Sequence, residues 1–428
     1  MPPTLALVLP LASLSLSLPS SPVLADDWPQ LHGLLGDRAS TERIALREWP
    51  AAGPPEVWRT PADSGFSSFS VAEGGAFTLV RRTVDGEARE TCVRLDPASG
   101  EEVWAAPLGA ARYDGGGDAG AEGNKGGDGP RSTPSCVDGR VHVFDAHFVL
   151  FTLDAGTGRE LWRRDLEGEF AGRSLKWQNA AAPLVAGGRV FVAGGGAGQS
   201  LLAFDAATGE VHWRTGDEKP THATPVAAEI HGVRQVIFFV QSGLVAVDSA
   251  DGAELWRATY PFRISTAASP VVHGDVVYVS AGYGVGAGAF RVDRDGDAFS
   301  AELLWQQRNK LMNHWSTPVC RDGFLYGMFS FKKYGDGPLK CVELATGKER
   351  WSVDGFGPGN CVLVGEHLMA LSDAGELVLA EATPEVYREI ARADVLDGKC
   401  WSSPAFADGR VYLRSTREAV CLDLSGSR

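Results

Sequence analysis

The chain has 428 residues, of which 44% are apolar, so it can bury a large core. Its formal net charge is −14, and the sequence contains no run of Lys or Arg. Sequence-independent nucleic-acid binding needs a basic face, and docking on anionic lipid needs basic clusters, so we expect neither kind of partner.

The first 25 residues carry no charged side chain and have the layout of a secretory signal peptide. A Leu-rich apolar run covers residues 5–18, and VLA at residues 23–25 forms a small-residue cleavage site. We therefore predict a signal peptide at residues 1–25 and an exported protein, periplasmic or extracellular. The usual basic opening segment is missing, because Arg38 is the first basic residue, so an apolar disordered tail is the alternative. No later stretch approaches the ~20 apolar residues of a membrane-spanning helix.

Residues 26–55 form a leader rich in Pro, Gly and charge, which includes the segment DWPQLHG. We expect this leader to lie across one face of a single domain at residues 56–428. That domain opens with EVWR at residues 56–59, which has the pattern of the last strand of a repeat whose first three strands are absent.

A hairpin motif recurs along the domain and is clearest at residues 203–213, AFDAATGEVHW. An apolar strand runs to an Asp that can cap the turn, Gly supplies the positive φ angle, and a second strand carries Trp. The same spacing occurs at residues 96–104, 154–162, 248–256 and, with Glu for Asp, 343–351. A further unit keeps Trp305 without the Thr-Gly turn, and Tyr387 takes the place of Trp in another. Such a long-period repeat is typical of propellers and solenoids.

A second mark precedes the first strand of each unit: a small or polar residue, then Pro, then alternating apolar residues. Alternation with β-branched and aromatic residues predicts strands with one buried face. The mark occurs with Pro at Pro134, Pro183, Pro225, Pro270, Pro318 and Pro404, and without Pro at Ser67-Ser68-Phe69 and Gly359-Asn360-Cys361. These positions define eight units. A Gly-rich insert at residues 114–129 is predicted to be a mobile surface loop.

The two ends of the domain complete each other. The last unit starts at Ser403-Pro404 and stops after three strands, whereas residues 56–59 form a fourth strand without a unit. Pairing them gives eight four-stranded antiparallel sheets in a ring, which leaves only short, protected edges. We therefore predict an all-β fold, an eight-bladed β-propeller closed by an N-terminal strand that completes the last blade. A linear solenoid would instead need a capping repeat at each end.

The recurring Trp residues stand once per unit, always on the outer strand. This placement predicts a structural role, in which each indole packs between neighbouring blades and its N–H bonds a backbone group. The residues are Trp58, Trp104, Trp162, Trp213, Trp256, Trp305 and Trp351.

Three of the seven Cys residues, Cys92, Cys341 and Cys421, occupy equivalent strand positions. We expect them to be small buried hydrophobes. The sequence leaves disulfide pairing open, and no Cys or His cluster has zinc-ligand spacing.

The AxDxxTGxxxW repeats resemble the tryptophan-docking repeats of pyrroloquinoline-quinone (PQQ) propellers over roughly residues 56–424. They are also similar to those of BamB, the propeller subunit of the bacterial machinery that assembles outer-membrane β-barrels. DWPQ near the start and GKCWSSPAFADGRVY near the end most resemble exported bacterial PQQ-binding-like repeat proteins. The resemblance implies the fold and a role near the cell envelope, but the family holds both enzymes and scaffolds.

The sequence contains no recognisable catalytic set. The resemblance implies that a quinoprotein dehydrogenase would be longer, with an adjacent Cys-Cys pair and Glu, Asn and Asp ligands for calcium. This chain has no Cys-Cys pair, no haem-attaching CxxCH, and no GxSxG, Walker or HExxH motif. The string DRDGD at residues 293–297 looks like the start of a calcium loop, but the downstream Glu is missing, and a solvated acidic turn is the alternative.

The residues just before each inner strand are expected to ring one mouth of the central channel. Together they are polar, basic and aromatic on an acidic chain, which favours a site for an anionic ligand. The alternative is that these side chains only satisfy backbone groups at strand ends. The predicted ligand-binding residues are Arg131, Trp177, Asn179, His222, Asn313, His314, Trp315, Asn360, Lys399 and Trp401, and Phe66, Gln178 and Arg263 take similar places.

These observations favour an exported, non-catalytic propeller that acts as a binding or scaffold module at the cell envelope. We expect a monomer that binds protein partners or a small anionic ligand, without catalytic residues, metal or cofactor. The alternative is a quinoprotein that binds PQQ with calcium in the channel and oxidises an alcohol or a sugar. A third hypothesis is a channel that binds a saccharide on Trp177, Trp315 and Trp401.

Overall fold

The structure is a computed structural model that describes residues 27–50, 52–113, 129–264, 266–331 and 335–426. The predicted signal peptide and the Gly-rich insert, apart from Gly129, lie outside the described residues. The described part is built from β-strands, and α1 (Leu166–Phe170) is its single helix. No helix within these ranges is long and apolar enough to cross a membrane.

The strands follow one another along the chain. In chain order they are β1 (Ala39–Ser40), β2 (Glu56–Pro61), β3 (Ser70–Ala72), β4 (Gly75–Val84), β5 (Glu87–Leu95), β6 (Glu102–Ala110), β7 (Ser135–Val137), β8 (Arg140–Phe144), β9 (Val149–Asp154), β10 (Glu160–Asp165), β11 (Leu184–Ala186), β12 (Arg189–Ala193), β13 (Leu201–Asp205), β14 (Val211–Thr215), β15 (Val226–Ile230), β16 (Val233–Val240), β17 (Gly243–Asp248), β18 (Glu254–Thr259), β19 (Val271–His273), β20 (Val276–Ala281), β21 (Gly286–Asp295), β22 (Ala298–Gln307), β23 (Val319–Arg321), β24 (Phe324–Met328), β25 (Leu339–Glu343), β26 (Glu349–Val353), β27 (Asn360–Val364), β28 (His367–Leu371), β29 (Glu376–Glu381), β30 (Glu389–Asp394), β31 (Ala405–Ala407), β32 (Arg410–Arg414) and β33 (Glu418–Asp423).

Each blade is a four-stranded antiparallel sheet whose first strand lies at the central channel. Blades 1 to 7 begin with β3, β7, β11, β15, β19, β23 and β27, and blade 8 begins with β31. Blade 8 takes its three inner strands from the C-terminal part of the chain and its outer strand, β2, from the N-terminal part. Trp58 of β2 lies opposite Cys421 of β33. The predicted eight-bladed propeller and its closure by an N-terminal strand are therefore confirmed.

The hydrophobic core lies at the interfaces between blades. One cluster joins Leu184 and Phe191 of blade 3 to Val236 and Val245 of blade 4, and similar clusters fill the other interfaces. Middle strands are buried on both faces, as in β28, whose residues are all buried. The sequence alternation had predicted one buried face; that prediction was wrong for these strands, because each blade packs against a neighbour on both sides.

The outer-strand Trp residues pack against the turns of the next blade. Trp162 donates its Nε1–H to the carbonyl of Ala206 at 3.2 Å, and a Cβ at Gly209 would lie 2.6 Å from its ring. The equivalent indoles of Trp58, Trp104, Trp213, Trp305 and Trp351 donate to the carbonyls of Pro97, Ala155, Ser249, Leu344 and Thr383. Trp256 instead donates to the side chain of Gln235, because the next blade extends its β21–β22 hairpin and lacks the Thr-Gly turn.

The leader covers one end of the central channel. At its start it bonds the middle residues of three inner strands, through the pairs Trp28 with Val71, Pro29 with Cys136, and Gln30 with Val185. It then crosses to the opposite side, where β1 adds to β27 as a parallel strand. The backbone N–H groups of Ala45 and Leu46 both donate to the carbonyl of Leu424 in blade 8. Because β1 pairs with the last two residues of β27, Leu363 and Val364, the leader lies toward the C-terminal end of that inner strand, and the residues that precede the inner strands lie toward the other end of the channel.

All seven Cys residues are free thiols, and six of them are buried. Burial raises the pKa of the Cys361 thiol to about 11, and the nearby charge of Arg38 opposes part of this rise. The thiols therefore stay protonated at neutral pH and act as small packing groups.

Candidate functional site

The central channel contains a cavity of about 350 Å³, between the leader at one end and an open mouth at the other. Its volume is at the lower end of the range for small-molecule sites, about 300–1,000 Å³. The leader contributes Leu31, His32 and Arg38 to the wall. The blades contribute hydroxyl groups along the walls and aromatic, basic and amide side chains at the mouth.

Seven of the ten predicted ligand-binding residues line this cavity, together with Phe66. They are Arg131, Trp177, His222, His314, Trp315, Asn360 and Trp401. The remaining three, Asn179, Asn313 and Lys399, are not among its lining residues. The common register before each inner strand explains why residues from six blades meet here, and their ligand-binding role stays a prediction.

Asn179 and Asn313 are buried in the protein, where their amides hold backbone groups. The Asn179 side chain donates to the carbonyls of Phe144, Asp145 and Ala181 at 3.0–3.2 Å. The Asn313 amide donates to the carbonyl of Met328 at 2.9 Å. Both amides therefore hold backbone groups at strand ends, and their ligand-binding role stays a prediction.

Aromatic rings form a continuous arc on one side of the mouth. The ring centroid of Trp401 lies 4.8 Å from that of Phe66 and 4.9 Å from that of Trp315, and His314 lies 5.0 Å from Trp315. The Lys399 ammonium sits 4.6 Å from the centroid of Trp401. Because these rings pack on one another, Trp401 is a wall of the channel and does not offer a free face for stacking a sugar.

The other side of the mouth is basic. Arg131 donates to the carbonyl of Trp177, and its guanidinium lies 5.2 Å from the ring centroid of Tyr113. Trp177 and Gln178 both have positive φ angles, +69° and +57°, a backbone conformation that non-Gly residues seldom adopt. Burial, with a smaller effect of Arg131, lowers the pKa of His222 to about 4, so this imidazole is neutral at pH 7.

Two buried carboxyl groups lie behind Arg131. Glu90 accepts hydrogen bonds from the Tyr113 hydroxyl at 2.6 Å and from the Ala146 N–H at 3.0 Å. Burial and the neighbouring Asp145 raise the pKa of Glu90, and burial also raises the pKa of Asp145. Sequence analysis missed this pair, and the available signal was a Glu inside an otherwise well-packed strand, β5.

Hydroxyl groups in front of the inner strands join neighbouring blades. In each case, a hydroxyl oxygen accepts a hydrogen bond from the backbone N–H at the equivalent position of the preceding blade. The pairs are Ser68 N–H with Thr133, Ala182 N–H with Thr224, Ser269 N–H with Thr317, and Ser403 N–H with Ser68, at 2.7–3.0 Å. We call these four accepting hydroxyls the hydroxyl belt. The Ser or Thr before Pro was its signal in the sequence, but that mark was interpreted only as the start of a strand.

Arg38 of the leader bridges blades 7 and 8 at the level of this belt. Its Nη2–H groups donate to the carbonyl of Cys361 at 2.8 Å and to the Ser403 hydroxyl at 2.7 Å. The residue has a positive φ of +62° and is 3% exposed. A single Arg in a leader gave no sequence signal for this position.

The cofactor implied by the quinoprotein alternative can be tested against these residues. Calcium takes oxygen ligands, and proteins usually supply carboxylates among them. The described residues that line the cavity include neither Asp nor Glu. The string at residues 293–297 lies at the exposed β21–β22 hairpin. The channel therefore does not fit calcium, and we derive no reaction step through PQQ.

A protein-family model described as outer membrane protein assembly factor BamB matches residues 88–330. Among curated proteins, BamB of Moranella endobia is 26% identical over 267 residues, which cover 58% of this chain and 63% of that protein. BamB of Shewanella oneidensis is 26% identical over 242 residues, which cover 52% of this chain and 56% of that protein. The chain thus spans less than two thirds of the length of these relatives.

Solved structures show the same fold at lower sequence identity. The crystal structure of BamB from Moraxella catarrhalis has a TM-score of 0.60 and 16% identity, and the match covers 88% of this chain and 99% of that one. A quinohemoprotein alcohol dehydrogenase from Comamonas testosteroni has a TM-score of 0.64 and 14% identity, with 94% and 81% covered. At these identities the likeness concerns the fold alone. Because the family match at residues 88–330 spans more than half of the 428 residues, the chain belongs to the BamB-like family of PQQ-repeat propellers.

Proposed function

We propose that this chain is an exported, non-catalytic propeller that binds a protein partner at the cell envelope through the open mouth of its channel. The observation that carries the proposal is the asymmetry of the ring. The leader covers one end, and the other end gathers Trp, Tyr and Arg side chains, which are enriched at the energetic centres of protein interfaces. The relatives named for outer membrane protein assembly support a partner in that process.

The polar side chains of the mouth support positioning rather than catalysis. Trp315 donates to the carbonyl of Pro358, Asn360 donates to the carbonyl of Trp401, and Arg131 donates to the carbonyl of Trp177. Each of these groups fixes a loop at the mouth, so the surface is held in one shape before a partner arrives. A preformed surface lowers the entropy cost of association.

Site-specific photo-cross-linking in the host cell tests this proposal. Tyr283, which lines the mouth and is 37% exposed, is replaced with a photoreactive phenylalanine analogue. The matched control carries the same analogue at Val386, which is 48% exposed in the connection from β29 to the outer strand β30. We expect a discrete envelope-protein adduct at position 283 and none at 386. Arg131→Ala with Lys399→Ala should reduce the adduct by about tenfold, the loss expected for one interface anchor.

Two results would contradict the proposal. Equal adducts at both positions would indicate non-specific contact, and an adduct only at position 386 would place the interface on the outer rim. Addition of PQQ and calcium to the purified protein addresses the quinoprotein alternative. Stoichiometric uptake of PQQ with dye-linked oxidation of an alcohol or a sugar would replace the scaffold role with that enzyme activity.

A further inference from the structure

Arg38 is a buried cation whose contacts are all neutral. Its guanidinium donates to the Cys361 carbonyl and the Ser403 hydroxyl, and its Nε–H has no hydrogen-bond partner among the described residues. The same side chain lines the closed end of the channel cavity. A buried charge without an opposite charge is unfavourable, so this arrangement calls for a counter-ion.

Arg414 gives an internal comparison, because it is equally buried but fully bonded. It is 1% exposed, and its Nε–H donates to the carbonyl of Ser415. Its terminal nitrogens donate to the Thr78 hydroxyl and to the carbonyls of Leu79, Asp63 and Gly65. The fold can thus satisfy a buried guanidinium with backbone carbonyls and one hydroxyl, without a carboxylate. Arg38 has not been satisfied in this way: its Nε–H is buried without a partner among the described residues, and its side chain lines the cavity.

At the closed end of the cavity, Arg38 is the charged residue of the described lining, and Arg131 lies away from it at the mouth. Burial, with a smaller effect of Arg38, lowers the pKa of His32 to about 3, so this neighbour is neutral. The described lining of the cavity holds no carboxylate. Toward the mouth, the wall becomes aromatic through Phe66 and Trp315. A matching ligand has one negative charge at one end and an apolar or ring-shaped body at the other.

We propose that the channel binds a small organic monocarboxylate, whose carboxylate accepts hydrogen bonds from Arg38 and whose body points toward the aromatic mouth. Both Nη2 hydrogens already bond the protein, so the carboxylate would accept a charge-assisted hydrogen bond from Nη1, and the cavity of about 350 Å³ accommodates a small ring compound. This inference deepens the proposed function, on which it rests, because it gives the binding propeller a ligand in addition to its protein partner.

The test uses the purified full chain and three probes: benzoate, its neutral analogue benzamide, and inorganic phosphate. Binding is followed by calorimetry and by intrinsic Trp fluorescence, since Trp315 and Trp401 line the cavity. We expect benzoate to bind with a Kd of about 1 mM or lower. We expect benzamide to bind at least about tenfold more weakly, and phosphate more weakly than benzoate.

Variants at Arg38 assign the binding to this side chain. Arg38→Met should weaken benzoate binding by at least about tenfold, and Arg38→Lys, which keeps the charge without the planar guanidinium, should give an intermediate affinity. The control is Arg43→Met in the same leader, because Arg43 is exposed and should leave the affinity unchanged. If Arg38→Met does not fold, the comparison of benzoate with benzamide and the Arg38→Lys variant still decide the outcome.

Several results would overturn the inference. They are the absence of benzoate binding at about 1 mM, equal affinity for benzoate and benzamide, tighter binding of phosphate, and unchanged benzoate affinity in Arg38→Met. The photo-cross-linking at Tyr283 is measured without added carboxylate. Absence of benzoate binding therefore does not affect the cross-linking result, and absence of a cross-linked adduct does not affect the benzoate result.

Discussion

Glu90 is 1% exposed and shares its buried site behind Arg131 with a second carboxyl group, that of Asp145. Its side chain accepts hydrogen bonds from the Tyr113 hydroxyl and the Ala146 N–H, so it joins Tyr113 to the turn that follows β8. Burial, reinforced by the charge of Asp145, raises the pKa of Glu90. The folded protein therefore holds a proton that the unfolded chain releases above about pH 4.3.

The sign of the resulting pH dependence follows from linkage. A carboxyl group with a raised pKa stabilises the fold fully below its unfolded pKa, about 4.3. That stability is lost as the pH rises through the higher folded pKa. Glu90→Gln removes this titration. As the pH rises from roughly 5 to 8, the free energy of unfolding of the variant should therefore increase relative to that of the wild type. Urea unfolding at both pH values measures the difference in free energy of unfolding.

The control for this prediction is Glu101→Gln, because Glu101 is an exposed carboxyl group of the same blade. The difference in free energy of unfolding between Glu101→Gln and the wild type should be nearly the same at the two pH values. Parallel behaviour of the two variants would mean that Glu90 does not titrate abnormally in the folded protein.

Arg38 and the hydroxyl belt illustrate what the sequence could reveal at the scale of single residues. The Ser or Thr before Pro stands at a repeated position, so the belt was visible as a pattern even though its interblade hydrogen bonds were not. Arg38 bonds residues 323 and 365 positions away, and it occurs once. No local pattern can predict such a contact, because it depends on the path of the leader over the finished ring.

At the scale of the element, the Thr-Gly turn of a repeat is where the Trp of the preceding blade packs. Gly209 has a φ of +72°, and a Cβ there would lie 2.6 Å from the ring of Trp162 in the preceding blade. Gly187 also has a positive φ, +57°, but nothing lies within 4 Å of its Cβ position. Substitutions at both glycines strain the backbone, but only a substitution at Gly209 also collides with an indole. Comparing the two therefore isolates the steric effect.

Gly209→Ala should destabilise the protein more than Gly187→Ala. Both variants place a side chain in the left-handed region, which costs about 1–2 kcal/mol. Gly209→Ala should cost a further 1–3 kcal/mol, roughly, because the methyl group collides with the indole. Chemical denaturation of the two variants measures this difference. An equal loss of stability would show that the indole can move away without cost.

Strands and turns could be predicted where their sequence pattern lies within one hairpin. The Asp, Thr and Gly of each turn and the outer-strand Trp are within one hairpin, so their pattern could be identified without knowledge of the ring. The burial of β28 on both faces could not be predicted in this way, because it requires a neighbouring blade on each side. At the mouth, common register brought seven predicted residues to the cavity, whereas the buried Asn179 and Asn313 amides brace the backbone.

At the scale of the whole molecule, the ring is closed by one pairing between distant parts of the chain. β2 completes the blade formed by β31, β32 and β33, and the leader before it covers one end of the channel. The count of eight could be predicted because the repeat array has one surplus strand at its start and lacks one strand at its end. The same closure sets the polarity of the channel, with Arg38 at the covered end and the aromatic residues at the mouth.

Cysteine cross-linking across this pairing tests the closure most directly. Thr60 of β2 lies opposite Ala419 of β33, and side chains directly opposite each other have Cβ atoms about 4.5–5.5 Å apart. The pair Thr60→Cys with Ala419→Cys should therefore form a disulfide under oxidising conditions, identified by mass spectrometry of proteolytic peptides. The control pair, Thr60→Cys with Val420→Cys, is shifted by one residue and should remain reduced, because its side chains point to opposite faces. A bridge between positions 60 and 419 alone is the result that the eight-bladed closure predicts; no bridge, or equal bridging in the shifted pair, would contradict it.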